Sequence, residues 1–148
     1  MLQRFEQFTA SIITITHYIQ KIERDEMEKL GLKGAYAQYL LAMREHPQGL
    51  TAAQLCEICE RNKAAVSRIL SELEQRGLVH RSAEAYRAVL TLTDEGRDIA
   101  DWVSRKAALA TELVGQGLND RDRSTLYAAL SLISNNIETV SKTGLPDR

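Results

Sequence analysis

Cysteine is scarce in this 148-residue chain. The only two, Cys56 and Cys59, share one short stretch, Cys56-Glu57-Ile58-Cys59. Two cysteines at that spacing cannot staple a small secreted domain, and zinc would need two more ligands nearby. The three histidines, at 17, 46 and 80, are scattered, and the β-α-β setting of a redox C-x-x-C motif is missing. Cys59 therefore reads as a small core residue and Cys56 as a partly exposed one, with a thiol- or metal-responsive role as the alternative. Aromatics make up 5% of the residues, too few and too dispersed for a platform that stacks single strands. The eight glycines punctuate helices instead of forming a phosphate cradle, and no G-x-S-x-G, P-loop or H-E-x-x-H motif occurs. An enzyme is the poorest reading, and neither metal nor cofactor is expected. No run approaches the ~18 apolar residues of a membrane span. The opening MLQRFEQF has no apolar signal core, so the expectation is a cytoplasmic protein with no membrane partner. Charge of either sign is also missing in excess: the net value is −1 and the pI near 6.3, which excludes a polycation that coats nucleic acid.

What is present centres on Thr51–Val79. Leu55, Ile58 and Cys59 form one short helical pattern, and Val66, Ile69, Leu70 and Leu73 a second, around a polar break at Glu60-Arg61-Asn62. Thr51 and Asn62 are suited to cap the two helices, and Gly77 to end the second in a left-handed conformation, with Leu78 folding back. Two short helices joined by a tight turn make a helix-turn-helix, whose second helix can enter the major groove of DNA. Its outer face would carry Lys63, Ala64, Ser67, Arg68 and Ser71, with Asn62 and Ala65 at its start. That face is slim, polar and cationic, as a groove ~12 Å wide requires. The alternative is a plain solvated helical hairpin.

The residues that follow favour DNA. Leu78–Arg81 and Tyr86–Leu92 are β-rich runs around a polar tip, which reads as a hairpin wing with Arg81 and Arg87 flanking the tip and able to reach phosphates or the minor groove. From Arg61 to Arg87 six basic residues face three acids, a local positive excess on a chain of net charge −1. A modest basic patch on a near-neutral body suits a sequence reader.

Both ends of the chain read as helices with a seam of alternating three- and four-residue spacing. Over residues 4–30 the seam is Phe5, Phe8, Ile12, Ile15, Ile19 and Ile22, with Ile13 and Tyr18 off it. In the last helix, from Asp120, it is Leu126, Leu130, Ile133, Ile137 and Val140, before a polar tail from Lys142 expected to fray. Between them lie a helix at about 35–45, a very short strand at Leu50, and a helix capped by Thr93 that runs to about Val114 with Ile99, Trp102, Val103, Leu109 and Leu113 apolar. The expected fold is mainly α with a small β-hairpin wing: a winged helix-turn-helix at 31–114, flanked by a helical dimerisation region at 1–30 and 115–148. Phe5, Phe8, Ile12, Ile15, Leu126, Leu130, Ile133 and Ile137 are the candidate dimer residues. A homodimer would set two reading helices about one turn of DNA apart, ~34 Å, against a palindromic operator.

Three strings, LKGAYAQYLLAMREHPQGLTAAQLCEIC, NKAAVSRILSELEQRGLVHR and LTLTDEGRDIA, resemble the MarR family of winged-helix transcription regulators over roughly residues 4–141. The resemblance implies that Lys63, Ala64, Ala65, Ser67 and Arg68 meet DNA and that Leu92–Gly96 is the wing-to-helix junction. It also implies a homodimeric repressor, sometimes an activator, responsive to a small aromatic or anionic effector, with His17, Tyr18, Tyr36 and Tyr39 lining its cleft; ordinary core packing is the other reading of these tyrosines. The chain departs from the family in the wing. Where that family has an Asp-x-Arg element, whose acid orients an arginine that enters the minor groove, this sequence has Glu84-Ala85-Tyr86, with Arg87 one place later. Arg87 is expected to take the arginine's role, the alternative being Tyr86 packed beneath the hairpin and Arg87 in solvent. A winged-helix module that binds protein instead of DNA is the reading from another class.

Overall fold

The computed structural model describes residues 2–59, 61–83 and 86–147. Six helices and a three-stranded antiparallel sheet account for the regular structure among them: α1 (Leu2–Glu28), α2 (Tyr36–Glu45), β1 (Leu50–Thr51), α3 (Ala52–Ile58), α4 (Lys63–Gln75), β2 (Val79–Arg81), β3 (Val89–Leu92), α5 (Asp94–Val114) and α6 (Asp120–Thr143). The chain divides within α5, into a unit ending at Lys106 and a unit beginning at Ala107. Glu60, in the expected polar break, and Glu84-Ala85, in the departed wing element, lie outside the described residues.

The core belongs to the first unit. Tyr36, Tyr39, Leu40 and Met43 of α2 pack with Leu55 of α3, Val66, Leu70 and Leu73 of α4, Leu90 of β3 and Ala100 of α5. Each of these helices contributes an apolar stripe at helical spacing. The stripe of α3 is narrower than the sequence suggests. Leu55 and Cys59, four apart, are buried, whereas Ile58 is 47% exposed, because a seven-residue helix lays only one i, i+4 row against its neighbours.

The sheet has the order β1-β3-β2. Val79 pairs with Leu92 and Arg81 with Leu90, which makes the expected hairpin, and Leu50 pairs with Leu90 on the other side of β3. The second wing run is shorter than expected. It begins at Val89, because Arg87 has a left-handed backbone, φ 59°, that no extended strand can include.

In the second unit α6 is capped by Asn119, whose side chain accepts from the Asp122 N–H. No residue of α6 is buried. The helix runs into the polar tail as far as Thr143, with Lys142 paired to Glu138 and the Gly144 N–H donating to the Val140 carbonyl.

Candidate nucleic-acid interface

The two faces of α4 do different work. Val66, Ile69, Leu70 and Leu73 are buried, while Lys63, Ala64, Ser67, Arg68 and Ser71 are exposed and Ala65 is half-buried. Among the described residues, neither Lys63 nor Arg68 has a carboxylate within ion-pairing distance. Asn62 caps the helix, its Oδ1 accepting from the Ala65 N–H at 2.8 Å. At the other end the Leu78 N–H donates to the Leu73 carbonyl and the Gly77 N–H to that of Glu74. With Gly77 at φ 70°, this is the paired-bond ending that satisfies the last carbonyls.

One flank of α4 is clamped to the start of α2 and the segment before it. The Tyr36 hydroxyl donates to Glu72 Oε2, and Lys33 Nζ lies 3.1 Å from both Glu72 oxygens. Arg76 donates to the Gly31 carbonyl at 3.1 Å and lies over the Tyr36 ring, 5.9 Å from its centroid. The Tyr36 hydroxyl, and after it Lys33, holds the Glu72 carboxyl below its ordinary 4.5. Burial, and after it the bond to Glu72, raises the Tyr36 phenol above 10.0. Sequence reasoning missed this clamp. Its partners stand 36 and 39 positions from Glu72, and no local pattern joins them.

Thr93 ties the wing to α5. Its hydroxyl donates to the Gly77 carbonyl at 2.6 Å and accepts from the Gly96 N–H at 3.1 Å, while its own N–H donates to the Leu78 carbonyl. The Leu-Thr-x-x-Gly string is thus a joint between the end of α4 and the start of α5. In the wing itself, Arg81 gives Nε and Nη2 to Glu74 Oε1, at 2.9 and 2.7 Å. Tyr86 does not pack beneath the hairpin: it is 82% exposed, and the Arg87 guanidinium lies over its ring.

The four candidate effector residues fall in two places. His17 and Tyr18 are exposed on α1, their rings edge to face at 5.1 Å. Tyr36 and Tyr39 are each 1% exposed, core residues of α2 that form no wall open to solvent in one chain. One concavity of about 420 Å³ is lined by Met43, Arg44, Glu45, Pro47, Leu92, Arg97 and Asp101, and another of about 510 Å³ by Gln38, Leu41, Ala42, Glu45, His46, Ile58 and Cys59. None of the four candidates lies on either.

Of the dimer candidates, Phe5, Ile12 and Ile15 on α1, and Leu126, Ile133 and Ile137 on α6, are all exposed, between 37% and 64%. Phe8 and Leu130 are half-buried. Cys59 is buried and Cys56 half-buried, both as free thiols. Burial pushes the Cys59 thiol up, away from the reactive thiolate. Among the described residues no three His, Cys, Asp or Glu side chains gather as metal ligands, and no helix is long and apolar enough to cross a membrane.

Residues 30–88 match the family model described as MarR family. The chain is 24% identical over 127 residues to YybA, an uncharacterised HTH-type transcriptional regulator of Bacillus subtilis (strain 168), covering 84% of each. A MarR family transcriptional regulator from Silicibacter pomeroyi has a similar structure, with TM-score 0.73 and 27% identity over 85% of this chain and 86% of that one. So does a MarR family regulator from Listeria monocytogenes solved with a 26mer DNA, with TM-score 0.83 and 21% identity over 95% and 97% of the two chains.

Proposed function

We propose that this chain, a winged-helix DNA-binding transcriptional regulator of the MarR family, acts as a homodimeric repressor. In this reading it binds a palindromic operator in double-stranded DNA, in the cytoplasm, and is released by a small aromatic or anionic effector. One observation carries the reading: α4 buries one face completely and turns outward a slim face whose two cations, Lys63 and Arg68, have no carboxylate partner among the described residues. Arg68 is suited to a base edge, where its planar fork can bond guanine twice, and Lys63 to a phosphate. Ala64, Ala65, Ser67 and Ser71 keep the helix thin enough to approach the bases, and Asn62 holds its first turn.

Support for the dimer comes from the apolar residues that α1 and α6 each expose. A second copy would cover them and set two α4 helices against two half-sites. Repression follows from occupancy, since a dimer seated on a promoter excludes polymerase. Release by an effector is supported by the family resemblance and by the exposed His17–Tyr18 pair on α1.

The test uses duplexes that the wild-type protein selects from a randomised pool. Arg68→Ala is expected to lose about 1–3 kcal/mol per half-site and to relax the preference at one base pair. Lys63→Ala is expected to weaken all duplexes alike and to reduce the salt slope by about one for each phosphate left unneutralised. Binding by both variants at wild-type strength would refute the assignments. Failure of the wild type to select any duplex would favour a module that binds protein.

A further inference from the structure

The wing holds its two arginines in opposite ways. Arg81 is tied by both Nε and Nη2 to the Glu74 carboxylate at the end of α4, so its charge is largely answered within the chain. Arg87 stands past the point where the hairpin is locked. There the Ser82 N–H donates to the Val89 carbonyl and the Val89 N–H to Ser82 Oγ, both at 2.9 Å. Beyond that lock Arg87 lies over Tyr86, its guanidinium carbon 5.7 Å from the ring centroid.

Two further observations describe the tip. Among the described residues Arg87 is the one non-glycine with a positive φ, 59°, a conformation glycine adopts without steric cost and an L-residue holds only when its surroundings demand it. Tyr86, in turn, is 82% exposed, a large aromatic ring outside any core. An aromatic face orients a guanidinium without cancelling its charge, whereas a carboxylate orients it and neutralises it. A narrow minor groove attracts an arginine through its negative potential, so the first arrangement keeps the full attraction and removes part of the side chain's freedom beforehand.

We propose that Tyr86 is a positioning residue that lays the Arg87 guanidinium on its ring, directed at the minor groove beside the major-groove segment met by α4. The proposal rests on the DNA-reading assignment of α4. Arg87 in the minor groove is the role that the family resemblance implies for a wing arginine; what is new is Tyr86 as the group that orients it, with Arg81 left as a brace between wing and α4.

The experiment uses the full chain and a duplex selected by the wild type, with Arg68→Ala as reference. No selected duplex, or no loss in Arg68→Ala, defeats the α4 reading. With both in place, the wing is tested by itself. Arg87→Gly suits the left-handed backbone, so the fold is retained, as circular dichroism would verify, and affinity is expected to fall about tenfold. Tyr86→Ala is expected to cost about three- to fivefold when Arg87 is present and nothing further in the Arg87→Gly background. Tyr86→Phe, which keeps the ring, should recover most of that loss. Replacing adenine by 2,6-diaminopurine at the wing position adds an amino group in the minor groove; it should weaken the wild type and remove its advantage over Arg87→Gly. Equal losses from Tyr86→Ala with and without Arg87, no loss at all, or indifference to the added amino group would each overturn the proposal.

Discussion

A methyl group added at Gly96 would lie 1.9 Å from the Leu78 carbonyl oxygen, a distance no side-chain carbon tolerates. That carbonyl already accepts from the Thr93 N–H, so it cannot retreat without breaking the wing-to-α5 joint. Gly77 is needed for a different reason. The space around it is open, but its φ of 70° strains any L-residue. Urea unfolding should separate the two: Gly96→Ala is expected to cost more than about 3 kcal/mol and Gly77→Ala about 1–2 kcal/mol. Equal costs would mean that the close approach at Gly96 is not what the joint depends on. Tyr39 offers a test of opposite sign. Its hydroxyl is buried with no hydrogen-bond partner among the described residues, and burial raises its pKa above 10.0. Tyr39→Phe removes a desolvated polar atom and keeps the ring, so stability is expected to hold or rise by about 1 kcal/mol. A marked loss would reveal a partner for that hydroxyl.

At the scale of the element, α4 shows how a helix is held in one orientation. Its caps set its length and its apolar stripe sets its rotation. The Tyr36–Glu72–Lys33 clamp fixes one flank to the start of α2 and the segment before it, which leaves Lys63 and Arg68 on the open side. The clamp also has a pH signature. Because the folded state lowers the Glu72 pKa, its contribution is fully present above the ordinary value of 4.5 and is lost as pH falls through the lower folded value. Tyr36 has the reverse sign: its raised pKa contributes fully below 10.0 and is lost as pH rises through the folded value. The stability gap between wild type and Glu72→Gln should therefore be constant from about pH 5 to 8 and close in acid below 4.5, measured by denaturant titration. A gap that persists unchanged into strong acid would mean that the carboxylate charge is not what holds the flank.

For the whole molecule the decisive feature is apolar surface that one chain leaves in water. On α1, Ile13 is 69% exposed and Ile15 53%; on α6, Ile137 is 60% exposed. Full burial of such a residue contributes about 1.5–3 kcal/mol, the driving force on which the proposed dimer would draw. Charge placed there, as Ile15→Glu with Ile137→Glu, should yield monomers by light scattering at micromolar concentration. Their affinity for a palindromic duplex should fall by about a hundredfold or more, because each half-site is then bound without its twin. A wild type that is itself monomeric under those conditions would remove the dimer from the proposed function.

How much of the molecule is legible in its sequence depends on the reach of each interaction. Thr51, Asn62 and Gly77 cap or end helices as expected, and Val66, Ile69, Leu70 and Leu73 are the buried stripe of α4. All of these are choices made among residues within about four positions, where side-chain type and backbone geometry leave few alternatives. Composition and spacing alone therefore determined the order of elements, the winged helix-turn-helix and the outward face of α4. Tertiary structure alone decided that Ile58 turns outward, that β1 joins β3, that Tyr36 clasps Glu72, that Arg81 is held by Glu74 and that Tyr86 stands in solvent under Arg87. Most of these depend on partners tens of residues away or on a single backbone angle, and a side chain's chemistry states what it can bind, not which distant neighbour the fold will bring to it.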